Sequence, residues 1–198
     1  MGWSLRDRCS ATADMGMKFS ATPLDGLWVI EPQPVTDERG SFARIFCERE
    51  FEERGLSFRP VQSNLSTNRL RGTLRGLHLQ RPPHGEAKLM RCIRGSIHVV
   101  AVDVRSRSST RAKTFSIRLS ASEGRQLYVP EGLANGFQTL EDDSEVLYLM
   151  SEFYEPTAGG GYRYDDPTFA ISWPLPVSSV SENDLRLPFF DPRALDDA

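Results

Sequence analysis

The sequence predicts a single domain built mostly of β-strands, and three observations lead to that prediction. From Gly26 onward, short runs of β-branched and aromatic residues alternate with turn clusters, and long helical periodicity is almost absent. Phe115, Ile117 and Leu119 alternate with polar residues, as in a half-buried strand. The 198 residues suit one domain with a substantial core. Regularly spaced strands with turns between them favour a sandwich or a barrel.

The individual strands follow from the apolar runs and the turn residues that bound them. The N-terminal part predicts strands at 27–30 and 41–46 around a turn at 37–40, then one short helix at 48–54 closed by Gly55. Further strands are predicted at 74–80, 88–94, 96–104, 115–119, 126–129, 137–140 and 146–150. Pro82 and Pro83 predict a loop after 74–80, because proline cannot donate to a strand ladder.

The two ends of the chain differ from this strand-rich region. Residues 1–16 contain arginines but no apolar segment or cleavage site, so we expect a disordered extension before a single domain at 17–198 rather than a secretory signal. Beyond Tyr154 the glycines and prolines predict a segment that wraps around the domain. Within that segment, Ser181 before acidic residues predicts the cap of a short helical turn.

Composition and charge exclude several classes of protein. Charged residues make up 26% and hydrophobic residues 39% of the chain, with a net charge of −3, which is typical of a soluble globular protein. No basic run alternates with aromatic residues and no apolar stretch is long enough for a bilayer, so we expect no nucleic-acid partner and no membrane partner. Cys9, Cys47 and Cys92 are widely spaced and odd in number, which favours a reducing cytoplasm.

The motifs for metal, phosphate and nucleophile chemistry are missing from the sequence. His78, His84 and His98 form no His-x-His pair and have no carboxylate at the usual ligand spacing, so we expect no metal. The glycine triplet at 159–161 lacks the Lys-Ser/Thr of a phosphate loop, and no Gly-x-Ser-x-Gly elbow is present. Proton transfer remains the best candidate, and it needs a base, an orienting carboxylate, a cation and an acid.

The candidate base is His78, which lies in the short apolar run at 74–80. An imidazole exchanges protons near neutral pH, and Lys88 offers a cation for developing oxyanion charge. The competing interpretation is that His78 is a core histidine with satisfied hydrogen bonds. The residues alone do not say which aspartate and which tyrosine would complete the set.

Several separate motifs, in order, resemble those of the dTDP-4-dehydrorhamnose 3,5-epimerases of the cupin group. The matching stretches are Asp37-Glu38-Arg39-Gly40, Leu74-Arg75-Gly76-Leu77-His78-Leu79-Gln80, Lys88-Leu89-Met90-Arg91-Cys92, Val102-Asp103-Val104-Arg105, Arg125-Gln126-Leu127, Pro130-Glu131-Gly132, Gly136-Phe137 and Asp165-Asp166-Pro167. The resemblance runs from Met17 to about Pro192. It implies an all-β, cupin-like double-stranded β-helix, or jelly roll, with short peripheral helices.

The same resemblance implies a role for four residues. His78 matches the base, and Asp184, in Ser181-Glu182-Asn183-Asp184, matches the aspartate that orients it. Lys88 matches a lysine near the substrate carbonyl, and Tyr148 matches the acid on the opposite sugar face. For each there is a structural alternative: a helix cap for Asp184, a core aromatic for Tyr148 and a solvated strand-edge charge for Lys88.

The resemblance also implies a set of substrate-binding residues. Arg39 and Arg75 match arginines on the diphosphate, a role that suits a planar cation with several donors. The other implied binding residues are Gln62, Asn64, Phe42, Asn135 and Phe153. Asn135 stands where the family usually has histidine, Phe153 where it often has tyrosine and Asn183 where it has lysine. These departures predict an effect on the choice of nucleotide or sugar.

The function that the resemblance implies is cofactor-free epimerisation of a nucleotide-linked, dTDP-type 4-keto-6-deoxyhexose. Inversion at C3 and C5 would make a double epimerase, and inversion at C3 alone a mono-epimerase. A ketoisomerase on the same kind of substrate and a non-catalytic nucleotide-sugar binding protein are the alternatives. The resemblance further implies a homodimer that pairs through its N-terminal strands and has no metal and no cofactor.

Overall fold

Between residues 16 and 193, the protein folds into two antiparallel β-sheets, a small hairpin and two short helices. The computed structural model describes residues 16–193. Along the chain, the elements are β1 (Met17–Ala21), β2 (Trp28–Pro32), β3 (Val35–Asp37), β4 (Gly40–Phe42), α1 (Glu48–Glu52), β5 (Gln62–Asn68), β6 (Leu74–Gln80), β7 (Lys88–Arg94), β8 (Ser96–Asp103), β9 (Thr114–Ser120), β10 (Gln126–Val129), β11 (Leu133–Thr139), β12 (Ser144–Met150), β13 (Gly159–Gly161) and α2 (Glu182–Leu185). The predicted all-β class is confirmed.

The strand order shows how the chain crosses between the sheets. The six-stranded sheet has the order β1-β2-β10-β7-β12-β5, and the five-stranded sheet has the order β13-β6-β11-β8-β9. The strands β3 and β4 form a separate hairpin. Several pairs of strands that are consecutive in sequence, such as β6 and β7, therefore lie in different sheets. This alternation brings residues from distant parts of the chain to opposite sides of one interior.

The main hydrophobic core lies between the two sheets. Met90 and Leu127 come from the six-stranded sheet, and they cluster with Val99 and Phe137 from the five-stranded sheet. All four side chains are at most 5% exposed. Apolar burial is the main favourable contribution to folding, at about 25 cal/mol for each Å² removed from water. This core therefore holds the two sheets at a fixed separation.

Two further clusters cover the outer faces. Tyr162, Phe169 and Phe190 of the C-terminal segment pack on Leu77 and Val102 of the five-stranded sheet, as expected for a segment that wraps the domain. On the other sheet, Phe51 of α1 packs with Phe58 and Tyr128. The ring centroids of Phe51 and Tyr128 lie 5.7 Å apart, in an edge-to-face arrangement.

Several element boundaries differ from the sequence prediction. The strand predicted at 41–46 ends at Phe42, because Phe46 leaves the hairpin and packs 5.2 Å from the ring of Phe51. The helix predicted at 48–54 ends at Glu52. The strand predicted at 137–140 starts earlier, at Leu133, and is buried along its whole length. Burial on both faces explains this last difference, since the strand shows no alternation.

Four strands were missed in the sequence: β1, β3, β5 and β13. In β5 the partly buried positions are polar, and the exposed positions include Leu65. This inverts the usual pattern of a half-buried strand and hides it from a search for apolar alternation. The predicted N-terminal extension at 1–16 lies outside the described residues apart from Gly16. No helix within 16–193 is long and apolar enough to span a membrane.

Candidate active site

A cavity of about 390 Å³ opens between the two sheets. Its lining residues are Gln62, Asn64, His78, Leu79, Gln80, Glu86, Lys88, Tyr148, Met150, Tyr154, Pro156, Gly159, Gly160, Asn183, Asp184 and Leu187. A second cavity of about 130 Å³ shares His78, Lys88 and Tyr148 with the first and adds Arg75 and Asn135. The two cavities therefore form one site, and the three shared residues lie where they meet.

His78 of β6 is paired with Asp184 of α2. The imidazole Nε2 lies 2.8 Å from Asp184 Oδ1, and the His78 side chain is 46% exposed while that of Asp184 is 8% exposed. His78 is therefore not a buried core histidine. Because the carboxylate holds Nε2, the other ring nitrogen, Nδ1, is left to exchange a proton with a ligand.

Asp184 is fixed by two further contacts. The Gly76 amide donates to Oδ2 at 3.2 Å, and the Asp184 amide donates to the Ser181 hydroxyl at 3.0 Å. The predicted cap at Ser181 is present, and it orients the carboxylate that the histidine needs. Burial alone would raise the pKa of Asp184, but the contacts with His78 and Gly76 outweigh it and keep the pKa below its ordinary value. The carboxylate is thus charged at neutral pH.

Lys88 of β7 lies inside the site between two acceptors. Its Nζ atom is 2.8 Å from Glu86 Oε1 and donates to Asn135 Oδ1 at 3.2 Å. The residue is 7% exposed and β7 lies between β10 and β12, so Lys88 is not a solvated charge at a strand edge. Buried in this way, the ammonium interacts more strongly with charge that develops nearby than it would in water.

Tyr148 of β12 faces the site from the six-stranded sheet, whereas His78 belongs to the five-stranded sheet. Burial raises the pKa of the Tyr148 hydroxyl; the Arg75 guanidinium opposes this rise and the Glu86 carboxylate adds to it. The net shift is upward, so the phenol is protonated at neutral pH. A protonated group and a proton acceptor thus line one cavity from opposite sheets.

Polar binding groups surround these residues. The Arg75 Nε atom donates to Asn68 Oδ1 at 2.7 Å, which holds the guanidinium at the smaller cavity. Gln62 and Asn64 line the larger cavity from β5. Phe153 is 62% exposed and does not line either cavity; its neighbour Tyr154 does.

Besides Phe153, two more predicted binding residues lie outside both cavities. Arg39 and Phe42 lie in the β3–β4 hairpin and line neither cavity. The Arg39 side chain is 84% exposed and paired with Asp37, and Phe42 is 66% exposed. Within one protomer, the structure therefore does not bring these two residues to His78.

Glu86 is a charged site residue that the sequence analysis missed. It precedes Lys88 by two positions, and period-two spacing places both side chains on the same side of an extended chain. That spacing was the available signal, but a single glutamate near a loop has many ordinary explanations. Among residues 16–193, there is no group of three or more His, Cys, Asp or Glu side chains arranged to hold a metal ion.

Comparison with known proteins places this arrangement in a family. The family model for dTDP-4-dehydrorhamnose 3,5-epimerase matches residues 21–191. The chain belongs to the dTDP-4-dehydrorhamnose 3,5-epimerase family. Residues 21–191 contain both sheets except β1, of which only Ala21 is included, and they contain all the site side chains described above. The family that the sequence motifs suggested is therefore confirmed.

Individual members of the dTDP-4-dehydrorhamnose 3,5-epimerase family match over most of their length. The enzyme of that name from Methanothermobacter thermautotrophicus is 46% identical over 171 residues, which is 84% of this chain and 91% of the relative. A crystal structure of the Elizabethkingia anophelis enzyme is 40% identical, with a TM-score of 0.85, and the match covers 88% of this chain and 96% of that one.

A third member was solved with a ligand. The dTDP-6-deoxy-D-glucose-3,5-epimerase of Legionella pneumophila, in complex with dTDP-4-keto-L-rhamnose, is 35% identical with a TM-score of 0.83; the match covers 88% of this chain and 93% of that one. These likenesses confirm the predicted cupin-like jelly roll, because the epimerase neighbours share that fold with the two sheets seen here.

Proposed function

We propose that this protein is an isomerase that epimerises a dTDP-linked 4-keto-6-deoxyhexose in deoxysugar biosynthesis, without a cofactor. One observation carries the proposal. His78, paired with Asp184 on one sheet, and Tyr148, protonated on the other sheet, line the same cavity. Epimerisation requires a base on one face of the reacting carbon and an acid on the other, and this arrangement meets that requirement.

The reaction begins at a carbon next to the ketone, where the carbonyl acidifies the C–H bond. The His78 Nδ1 atom takes the proton, and the C–H electron pair moves into the carbonyl to form an enolate. Asp184 stabilises the resulting imidazolium, and the Lys88 ammonium stabilises the enolate oxygen. Both partners are in place before the reaction starts.

The second half of the reaction returns a proton to the opposite face. The Tyr148 hydroxyl gives its proton to the enolate carbon, the carbonyl re-forms, and the configuration at that carbon is inverted. The tyrosinate regains a proton from water, and the imidazolium loses its proton to water. No electrons are transferred to or from the substrate, so the reaction is redox-neutral.

The charged and polar groups of the site support a substrate that is bound through a nucleotide diphosphate. Arg75 presents a guanidinium at the smaller cavity, and Gln62 and Asn64 present amides at the larger one. Guanidinium groups bind diphosphate oxygens through several parallel hydrogen bonds. The related Legionella pneumophila enzyme was solved with dTDP-4-keto-L-rhamnose, which supports a dTDP-sugar substrate here.

We further propose a cytoplasmic homodimer that pairs through its N-terminal strands. The hairpin formed by β3 and β4 is exposed at every residue, and Phe42 presents a large apolar side chain to solvent. Pairing with a second copy would bury this hairpin and bring Arg39 and Phe42 towards the partner's cavity. The free thiols of Cys47 and Cys92 agree with a reducing compartment.

Deuterium incorporation tests the catalytic proposal. We expect the protein, incubated with dTDP-4-keto-6-deoxyglucose in heavy water, to introduce label at C3 and C5, as followed by NMR. Label at C3 alone would identify a mono-epimerase. The absence of label with any keto-sugar nucleotide would leave only a binding function.

The His78→Asn variant tests the base. We expect exchange to fall by at least about 10²–10⁴-fold, the usual contribution of a general base, with folding and nucleotide binding nearly unchanged. His84→Asn is the matched control, because His84 lies outside both cavities and should retain full exchange. If His78→Asn unfolds the protein, or if it exchanges at the wild-type rate, His78 is not the base.

A further inference from the structure

The two carboxylate oxygens of Glu86 have different surroundings. Oε1 lies 2.8 Å from Lys88 Nζ. Oε2 is buried, and no hydrogen-bond partner reaches it from any residue within 16–193. The Glu86 side chain is 4% exposed and lines the larger cavity. The site thus contains a buried carboxyl group with one oxygen unpaired.

A buried, unpaired carboxylate oxygen is unusual in a folded protein. Most buried polar atoms have a hydrogen-bond partner, because they have lost their contacts with water and regain nothing without one. Lys88 does not meet the need of Oε2, since it contacts the other oxygen. The missing donor is therefore expected from a molecule that enters the cavity.

Lys88, next to Glu86, indicates which kind of ligand would supply that hydrogen-bond donor. An ammonium has three N–H donors, and on Lys88 two of them serve Glu86 Oε1 and Asn135 Oδ1. One donor remains for a ligand oxygen, beside the free acceptor of Glu86. A donor and an acceptor side by side match an α-hydroxy ketone, which has a carbonyl oxygen and a hydroxyl on adjacent carbons.

We propose that Glu86 Oε2 accepts a hydrogen bond from the sugar hydroxyl at C3, next to the ketone oxygen that Lys88 binds at C4. This inference rests on the proposed function, because it assumes a 4-keto sugar in the cavity. Glu86 is then a specificity-determining residue, which selects sugars that carry a hydroxyl at C3. A site that hydrogen-bonds a substrate hydroxyl rejects an analogue without it, because its buried polar group stays unpaired.

A substrate-by-variant cycle tests the contact. The wild-type protein and Glu86→Ala are each measured with dTDP-4-keto-6-deoxyglucose and with its 3-deoxy analogue, and kcat/KM is read as deuterium exchange at the carbon that the wild type labels. With the hydroxylated sugar, we expect the kcat/KM of the variant to be lower than that of the wild type by on the order of 10²-fold. We expect the kcat/KM of the wild type to fall by a similar factor when the analogue replaces that sugar. With the analogue, the kcat/KM of the variant should be little lower than that of the wild type, because the contact with the hydroxyl is already absent.

Each outcome decides the inference. If Glu86→Ala lowers kcat/KM by the same factor with both sugars, Glu86 acts only by positioning Lys88, and the proposed contact with the hydroxyl is wrong. If the wild type processes both sugars equally well, the contact is also wrong, and this comparison needs no variant to fold. Glu86→Gln keeps the side-chain volume and repeats the cycle if the alanine variant is unstable. If the wild type introduces deuterium into neither sugar, the proposed function is wrong, and the inference that rests on it fails too.

Discussion

At the scale of single residues, the site contains one group that holds a proton and, on its other side, a group that can accept one. The Asp184 pKa is below its ordinary value of 3.8, so the carboxylate stays charged until the pH falls below that value. The Tyr148 pKa is above its ordinary value of 10.0, so the phenol stays protonated until the pH exceeds that value. Between these limits, one side of the cavity has a supported base and the other an acid.

The pH dependence of inversion follows from the Tyr148 shift. The acid form is the neutral phenol, so turnover that requires it should persist up to pH 10 and decline only above it. A pH profile of kcat for net inversion checks this expectation. A decline that begins near neutral pH on the alkaline side and is absent from Tyr148→Phe would mean that the phenol titrates early and that the structural assignment of its environment is wrong.

The same residue gives a prediction about stereochemistry. In Tyr148→Phe, His78 and Asp184 remain, so the substrate should still exchange its acidic hydrogen with solvent on one face. Inversion should fall by about 10²-fold or more, because the opposite face has lost its acid. NMR that follows label and configuration together distinguishes the two events. Equal loss of exchange and inversion would argue that Tyr148 supports the base instead.

At the scale of elements, the close approach of β6 and β11 sets the geometry of the site. In the register of the two strands, Asn135 lies opposite His78, next to an irregularity at Gly136. A Cβ atom added at Gly136 would lie 2.7 Å from the Arg75 carbonyl oxygen, so only glycine allows this backbone contact. The strands that carry the base and Asn135 are thus brought together by a residue that has no side chain.

Gly136→Ala tests that contact. We expect a loss of about 1–3 kcal/mol in unfolding free energy, the usual result of overpacking, and a further loss of exchange because β6 must shift with His78. Urea denaturation and deuterium exchange measure the two effects. Gly159→Ala is the matched control for the unfolding free energy alone, since its added Cβ would have no neighbour nearer than 3.6 Å but Gly159 lines the larger cavity. Equal stability of the two variants would show that the strands can separate without cost.

At the scale of the whole molecule, the sandwich brings the catalytic groups together but leaves the hairpin outside. The C-terminal segment closes one face of the five-stranded sheet and delivers Asp184 to His78. The β3–β4 hairpin has no such cover within one protomer. Its arginine and phenylalanine have a binding role only if a second chain places them at a cavity.

The proposed dimer is therefore expected to depend on the hairpin. Phe42→Ser should shift the protein from dimer towards monomer in sedimentation velocity and weaken substrate binding, because both depend on the same surface. Leu70→Ser is the control, since Leu70 is 55% exposed but lies outside the hairpin. A wild-type protein that is monomeric at working concentrations would contradict the proposed dimer.

Local pattern was sufficient for those strands that have one buried and one exposed face. The alternating strand predicted at 115–119 is present as β9, and the family motifs pointed to His78, Lys88, Tyr148 and Asp184. Local pattern failed at β5 and at the start of β11 for opposite reasons. In β5 the inward positions are polar because they line the site, whereas β11 is buried on both faces.

By itself, the sequence determined the all-β class, the candidate base and the family, since these depend on local alternation and on short motifs. Only the tertiary structure decided which groups meet. Asp184 lies 106 positions after His78, and Asn135 lies 47 positions after Lys88, yet each pair is in hydrogen-bond contact. The free oxygen of Glu86 is likewise a property of burial. Such contacts depend on how two sheets pack around a common interior, and no local stretch of the chain encodes that packing.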